Sequence, residues 1–354
     1  MSFSKEKKES ITDYMLDNMW KQNIKRDIVQ KTVDTYNISA TTVNRYIKKL
    51  INEGIIEEKI NNRLIRYKLI SKTYEKTYYP KKEKLEEDIV YNEDFSKYFE
   101  DFDDNVKHMW AYCFTEMMNN AIEHSEGTEI TCFLSQNHLK TIVVIEDNGI
   151  GIFNKIKLYN EEVLKKNITI EEACAQLFAG KLTTDKSRHS GEGIFFTSRI
   201  VDTFIILSSN TIFSHNAYAE KLIENDEIAK GIKIGKNGTA VFMFLSNTSP
   251  KSIKEVFSMF SNADKGFFKT QIPMKMMFEN AYPVSRSQAR RLYNTFDKFG
   301  EIVLDFKGIE NIGQAFVHEM FIVYEKNNPE KKLIIENAND TINNMINRVK
   351  NTVN

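Results

Sequence analysis

The chain has 354 residues, 41% hydrophobic and 28% charged, with basic and acidic side chains in equal number. That balance excludes a disordered or fibrous chain and leaves room for two or three globular domains. No apolar leader and no run of about 18 apolar residues is present, so secretion and membrane spanning are not expected and the cytoplasm is the expected compartment.

The zero net charge is unevenly placed. Residues 1–72 carry 15 Lys and Arg against 9 Asp and Glu, an excess of +6 that the remainder offsets, and this points to an anionic partner for the N-terminal region. Residues 11–70 read as helices followed by a hairpin. Ser39 is the expected N-cap of a helix whose Val43, Ile47, Leu50 and Ile51 make an apolar stripe. Thr41, Thr42, Asn44, Arg45, Lys48 and Lys49 fall on the opposite face, short polar groups and cations of the kind that read a major groove. Past Gly54, residues 55–60 and 64–69 flank Asn61-Asn62-Arg63 as a two-stranded wing bearing Arg63, Arg66 and Lys68. These residues resemble a winged helix-turn-helix, which implies DNA as the partner of residues 1–72. A solvated lysine face, or a winged helix that binds protein, is the plainer reading of the same pattern. Residues 73–94, rich in Lys, Glu and Tyr around Pro80, read as a linker.

Met109, Cys113, Met117 and Ala121 then recur at the spacing of a helix packed on a core. Glu116 and Asn120, four apart, project from one face of it. An amide oxygen such as that of Asn120 suits Mg²⁺, and a carboxylate one turn earlier can orient or deprotonate a water or hydroxyl. In isolation the pair is equally a solvated surface feature. The β-branched run 141–145 predicts a buried strand leaving through Glu146-Asp147-Asn148-Gly149-Ile150-Gly151. There Asp147 can accept a hydrogen bond from an exocyclic amine, and Gly149 and Gly151 leave space for a base against the backbone. Read alone, Asp-Asn-Gly is a hairpin turn. Ser190-Gly191-Glu192-Gly193-Ile194 is a glycine loop entering an apolar helix, an arrangement whose N–H groups and dipole favour phosphate at Gly191 and Gly193. Lys181, Lys186 and Arg188 lie in the preceding interval, within reach of a γ-phosphate or simply solvated. Strands are expected over 201–208, 211–214 and 238–245, with a helix and loop over 215–237. Cys113, Cys132 and Cys174 are odd in number without metal-ligand spacing, which predicts reduced, structural thiols.

The order and intervals of the segments 116–121, 146–151 and 190–194 resemble the N, G1 and G2 boxes of the GHKL superfamily, which includes gyrase B subunits, heat-shock chaperones, sensor histidine kinases and anti-sigma-factor kinases. The resemblance implies a Bergerat-type site for ATP and Mg²⁺ over residues 95–250. In it Glu116 is catalytic, Asn120 holds the metal, Asp147 meets the adenine, residues 153–189 form the lid, and Thr239 lines the adenine pocket. Glu192 between the two glycines departs from the fuller glycine pattern of the family. His108 lies only eight residues before Glu116, too near for the phosphoacceptor of a histidine kinase.

From about 265 the pattern alternates strands and helices: a helical stretch over 285–299, a buried strand over 301–306, helices over 314–324 and 340–349, and a strand around 332–335. Residues 285–291 and 303–316 resemble a STAS-like domain of uncharacterised function, which implies a protein partner for residues 265–354. Where anti-anti-sigma factors carry a phosphorylatable serine, this chain has Gly313, Gln314 and Ala315. The expected fold is therefore multidomain α+β: a winged helix, an α/β two-layer sandwich of the Bergerat ATP-binding fold, and a small STAS-like α/β sandwich. The expected function is ATP-controlled DNA binding in transcription regulation, with the lid or a homodimer contact differing between ATP-bound and free forms. A serine/threonine protein kinase of the anti-sigma type is the alternative, and a GHKL ATPase of a defence system a further one.

Overall fold

The structure is a computed structural model, and it describes residues 3–22, 24–61, 64–180, 192–209, 211–214, 238–262, 264, 266–278 and 282–353. The chain divides into two compact units. The first comprises residues 1–75 with 133–143 and 244–249, and the second comprises 76–132, 144–243 and 250–354.

In the first unit, α1 (Lys5–Gln22), α2 (Lys25–Tyr36) and α3 (Ala40–Asn52) precede the hairpin of β1 (Ile56–Asn61) and β2 (Leu64–Leu69). α2 stops at Asn37, which takes the left-handed conformation at φ 50°, a strain that Asn tolerates better than most residues. α3 starts where the capping chemistry predicts, with Ser39 Oγ accepting from Thr42 N at 3.1 Å. Its stripe of Val43, Ile47 and Leu50 is buried against Ile11, Met15, Leu16, Met19, Ile28 and Ile56. The hairpin register runs from Ile56↔Leu69 to Asn61↔Leu64. The turn at 137–140 belongs to the same unit: Leu139 packs on the helical core and Lys140 Nζ lies 3.7 Å from the centre of the Trp20 ring.

The large sheet has the strand order β3-β4-β5-β8-β6-β7, made of β3 (Lys72–Tyr78), β4 (Ile130–Gln136), β5 (Lys140–Asp147), β6 (Thr203–Ser208), β7 (Thr211–Ser214) and β8 (Thr239–Ser246). β3 falls in the stretch expected to link two domains. Its Lys and Glu side chains face solvent on an edge strand, where charge discourages further pairing, so the strand is polar enough to look like a linker. Thr77 Oγ1 lies 3.0 Å from Thr131 Oγ1, and Tyr78 OH donates to Asp94 Oδ2 at 2.7 Å. A short helix α4 (Glu87–Val90) follows.

α5 (Asp104–His124) is the central helix of the second unit. Met109, Cys113, Met117 and Ala121 are all buried, as are Trp110, Phe114 and Met118. α6 (Ile152–Glu162), α7 (Ile170–Ala179) and α8 (Gly193–Ile200) follow β5, and α9 (Ile253–Phe260) follows β8. After the two-residue strands β9 (Ser261–Asn262) and β10 (Gly266–Phe267), a parallel sheet β11-β12-β13 is built from β11 (Lys269–Pro273), β12 (Glu301–Asp305) and β13 (Lys332–Glu336). Its helices are α10 (Arg286–Tyr293), α11 (Gln314–His318) and α12 (Asp340–Val353). The expected helix over 285–299 ends earlier, at Tyr293, and the helix over 314–324 is α-helical only to His318, continuing as a π-helix over Glu319–Tyr324.

This sheet and α8 are tied together inside the second unit. Arg199 Nη1 donates to Phe195 O at 2.9 Å and Nη2 to Gln271 O at 2.8 Å, while its guanidinium lies 3.4 Å from the centre of the Phe195 ring. Desolvation pulls the pKa of Arg199 down to about 9. Thr270, fully buried, donates from Oγ1 to Ala179 O at 2.8 Å. Among the described residues the three cysteines form no disulfide, Cys113 and Cys132 being buried, and no helix is long and apolar enough to cross a membrane.

Candidate functional site

β5 ends in Asp147, whose side chain is only 8% exposed. Burial pushes its pKa up to about 6, against the opposing pull of hydrogen bonds from the Gly149 and Thr239 backbones and the Thr239 hydroxyl. Gly149 N donates to Asp147 Oδ1 at 2.9 Å, and the Thr239 hydroxyl in turn accepts from Ile152 N at 3.0 Å. The start of β8, the end of β5 and the start of α6 therefore converge on one buried carboxylate.

The glycines of this turn are there for more than ligand space. A Cβ on Gly149 would overlap the Ser125 carbonyl, which accepts from Ile150 N at 3.0 Å. Gly151 has φ 86°, and a Cβ there would press on Ser208 Oγ. Gly238, with φ 106°, lies against the Asp147 carbonyl, and its own carbonyl accepts from Ser208 Oγ at 2.8 Å. Neither Ser125 nor Ser208 stands out in the sequence as part of a site, and Gly238 does so only as the first residue of the expected strand 238–245.

Midway along its length α5 meets α8. A Cβ on Gly193 would overlap the Glu116 carboxylate, so the first residue of α8 is a glycine because a side chain from α5 occupies that space. Tyr112, one turn before Glu116, has its pKa raised by burial first and then by the negative fields of Glu116, Cys113 and Glu192, which places both glutamates near one phenol. Asn120 lies between Glu116 and the C-cap Ser125. It is half-buried, and among the described residues its amide has no hydrogen-bond partner. From Glu116 to Ser125 α5 advances about 13 Å. The structure thus brings Glu116 and Gly193 together and Asp147, Gly149, Gly151 and Thr239 together, with the second group joined to the C-terminal end of α5 through Ser125. Lys181 and Gly191 lie outside the described residues, as do Lys186, Arg188 and the interval 215–237. Among the described residues no group of three or more His, Cys, Asp or Glu side chains could hold a metal.

In the first unit, Thr41, Arg45, Lys48 and Lys49 are exposed on α3, and Thr42 and Asn44 are half-buried. The structure separates them further. Asn44 Nδ2 donates to Ala40 O at 2.8 Å, Thr42 shares a hydrogen bond with the Ser39 hydroxyl at 2.9 Å, and Lys49 Nζ is 3.5 Å from Glu53 Oε1. Thr41, Arg45 and Lys48 are left pointing outward from the helix. Arg63, at the tip of the wing, lies outside the described residues.

Two family models match the chain. Residues 34–57 match the winged helix-turn-helix DNA-binding model, which spans the end of α2, all of α3 and the start of β1. Residues 288–343 match the STAS-like domain of unknown function, from α10 to the start of α12. No curated protein matches. The chain is a multidomain α+β protein that carries a winged helix-turn-helix near its N-terminus, which implies DNA binding, and a STAS-like domain near its C-terminus.

Proposed function

We propose that the second unit binds ATP with Mg²⁺ along α5, in the manner of a Bergerat site, and that the nucleotide controls how α3 engages DNA. The observation that carries the reading is Asp147. It is a buried carboxylate at a strand end whose pKa is raised by desolvation even though Gly149 and Thr239 already donate to it, so a further donor from a ligand would stabilise its charged form. The exocyclic amine of adenine is such a donor. The Asn120 amide, without a hydrogen-bond partner among the described residues, offers a hard oxygen for Mg²⁺, which keeps most of its waters and bridges phosphates. Glu116 holds a carboxylate beside the start of α8, placed to orient or deprotonate a nucleophile.

Coupling to DNA needs an element that both ligands bias. β5 begins at Lys140, stacked on Trp20 of α1, and ends at Asp147, so one strand carries both terms of the proposed coupling. Calorimetry of the full chain with Mg-ATP tests the first half of the reading. Binding by the wild type and its loss in Asp147→Asn, where an amide presents a donor to the adenine amine, is the expected pair of results. Equal affinity in both proteins removes Asp147 from the adenine site. The fate of a γ-labelled phosphate then separates the two chemistries: label in free phosphate supports an ATPase regulator, and label in protein supports the kinase reading.

A further inference from the structure

The STAS-like domain holds a charged cluster that the nucleotide site does not use. α10 carries Arg286, Arg290 and Arg291, all exposed, and has no acidic residue in its first turn. Facing it, Glu319 is buried at 2% exposure. Arg290 Nε donates to Glu319 Oε1 at 2.7 Å, and Tyr293 OH donates to the same oxygen at 3.2 Å. The hydrogen bond from Arg290 is the first cause that holds the Glu319 carboxyl below its ordinary range, and Arg286 adds to it through its field. Glu319 is also where α11 passes into the π-helix Glu319–Tyr324, a rare form often retained where function requires it.

The geometry of the pair is directional. Glu319 engages Arg290 through Nε, while the Arg290 side chain is 59% exposed. A guanidinium fixed at Nε presents its two outer N–H groups as a rigid fork, the geometry that grips a phosphate or carboxylate in two bonds. Arg286 stands one helical turn before it on the same face. One buried carboxylate thus offsets only part of the charge of two arginines. The cationic character is local: residues 265–354 hold thirteen Lys and Arg against ten Asp and Glu, which suits one compact anion better than a polyanion. Tyr282 and Val284, 45% and 50% exposed, lie just ahead of α10 and offer apolar surface to whatever chain carries that anion. A free anion at so exposed a pair gains little, because water and salt screen it.

From these features we propose that Arg286 and Arg290, with Arg290 aimed by Glu319, form a receptor for a phosphomonoester carried on a protein segment, with Tyr282 and Val284 contacting the flanking residues. Glu319 is a positioning residue, and the two arginines are the contact groups. The assignment is independent of the ATP site.

The test uses the immobilised full chain and a degenerate pool of phosphoserine peptides, with the same pool dephosphorylated as control and inorganic phosphate as competitor. The expected result is a response at least tenfold stronger for the phosphorylated pool, abolished in Arg286→Ala/Arg290→Ala. Glu319→Gln should weaken it severalfold while leaving the arginines in place. Because Arg290 has a structural partner, Arg286→Ala alone, at an exposed position, guards against misfolding and should itself reduce the response. Equal responses to the two pools overturn the proposal, as does a phosphopeptide response that survives the double substitution. Full competition by inorganic phosphate at the peptide's own dissociation constant would mean that free phosphate is the ligand, and would overturn the protein-borne part.

Discussion

Replacing Asp147 by Asn should make the ligand-free protein more stable while removing its nucleotide affinity. The buried carboxyl has a pKa of about 6 in place of the ordinary 3.8. A carboxyl whose folded pKa is raised binds its proton more tightly in the folded state. Its contribution is therefore most favourable below pH 4 and is lost as the pH rises from about 4 to 6. Two pKa units correspond to ~3 kcal/mol of stability forgone at pH 7. The amide introduced by Asp147→Asn would keep an oxygen for Gly149 N but would turn an NH2 towards the Thr239 donors, a loss of ~1 to 3 kcal/mol, so a net gain of up to ~2 kcal/mol is expected at pH 7. Chemical denaturation of both proteins at pH 4.5 and pH 7 measures it, followed by a probe in the second unit. The difference between them should grow with pH. A variant less stable than wild type at pH 7, or a pH-independent difference, would refute the account of Asp147 as a desolvated carboxylate.

Four other perturbations test the remaining parts. Glu116→Gln should leave Mg-ATP binding near wild type and slow turnover at least 100-fold, as loss of a general base does, whereas Asn120→Ala should weaken binding only when Mg²⁺ is present; calorimetry with and without the metal distinguishes them, and identical profiles would dissolve the division of roles. Arg45→Ala/Lys48→Ala should weaken DNA binding and, where both contact phosphates, reduce the slope of log K against log salt by about 2, so an unchanged slope would move the DNA face away from α3. Lys140→Ala should leave DNA affinity in the absence of nucleotide unchanged but reduce the effect of ATP on it, and a full ATP effect in that variant would exclude β5 as the route.

Much of the architecture was legible because it follows from local rules. Ser39 capped its helix, the stripes of α3 and α5 were buried as their periodicity requires, and β1, β2, β6, β7, β8, β12 and β13 fell close to the expected runs. β3 was missed because an edge strand rich in Lys and Glu has the composition of a linker, and its place in the sheet is a non-local fact. The switch from α- to π-helix at Glu319 was equally invisible, since it depends on packing a charged residue that periodicity assigns to solvent. At the site, residue types were readable but their reasons were not. Gly149 is confined by the Ser125 carbonyl and Gly193 by Glu116, both contacts between segments distant in sequence. On α3 the polar face was predicted as one set, and only the hydrogen bonds of Thr42 and Asn44 to their own helix separate them from Thr41, Arg45 and Lys48.

The most direct test of nucleotide-controlled DNA binding is fluorescence anisotropy on genomic fragments, at fixed low salt, with and without Mg-ATP, for wild type and Asp147→Asn. A coupling of 1 to 3 kcal/mol between two sites corresponds to about 5- to 150-fold in affinity. Wild-type DNA affinity is predicted to change by at least fivefold on adding Mg-ATP, and that of Asp147→Asn to stay constant. The same DNA affinity with and without nucleotide, in wild-type protein that calorimetry shows to bind ATP, would contradict the account.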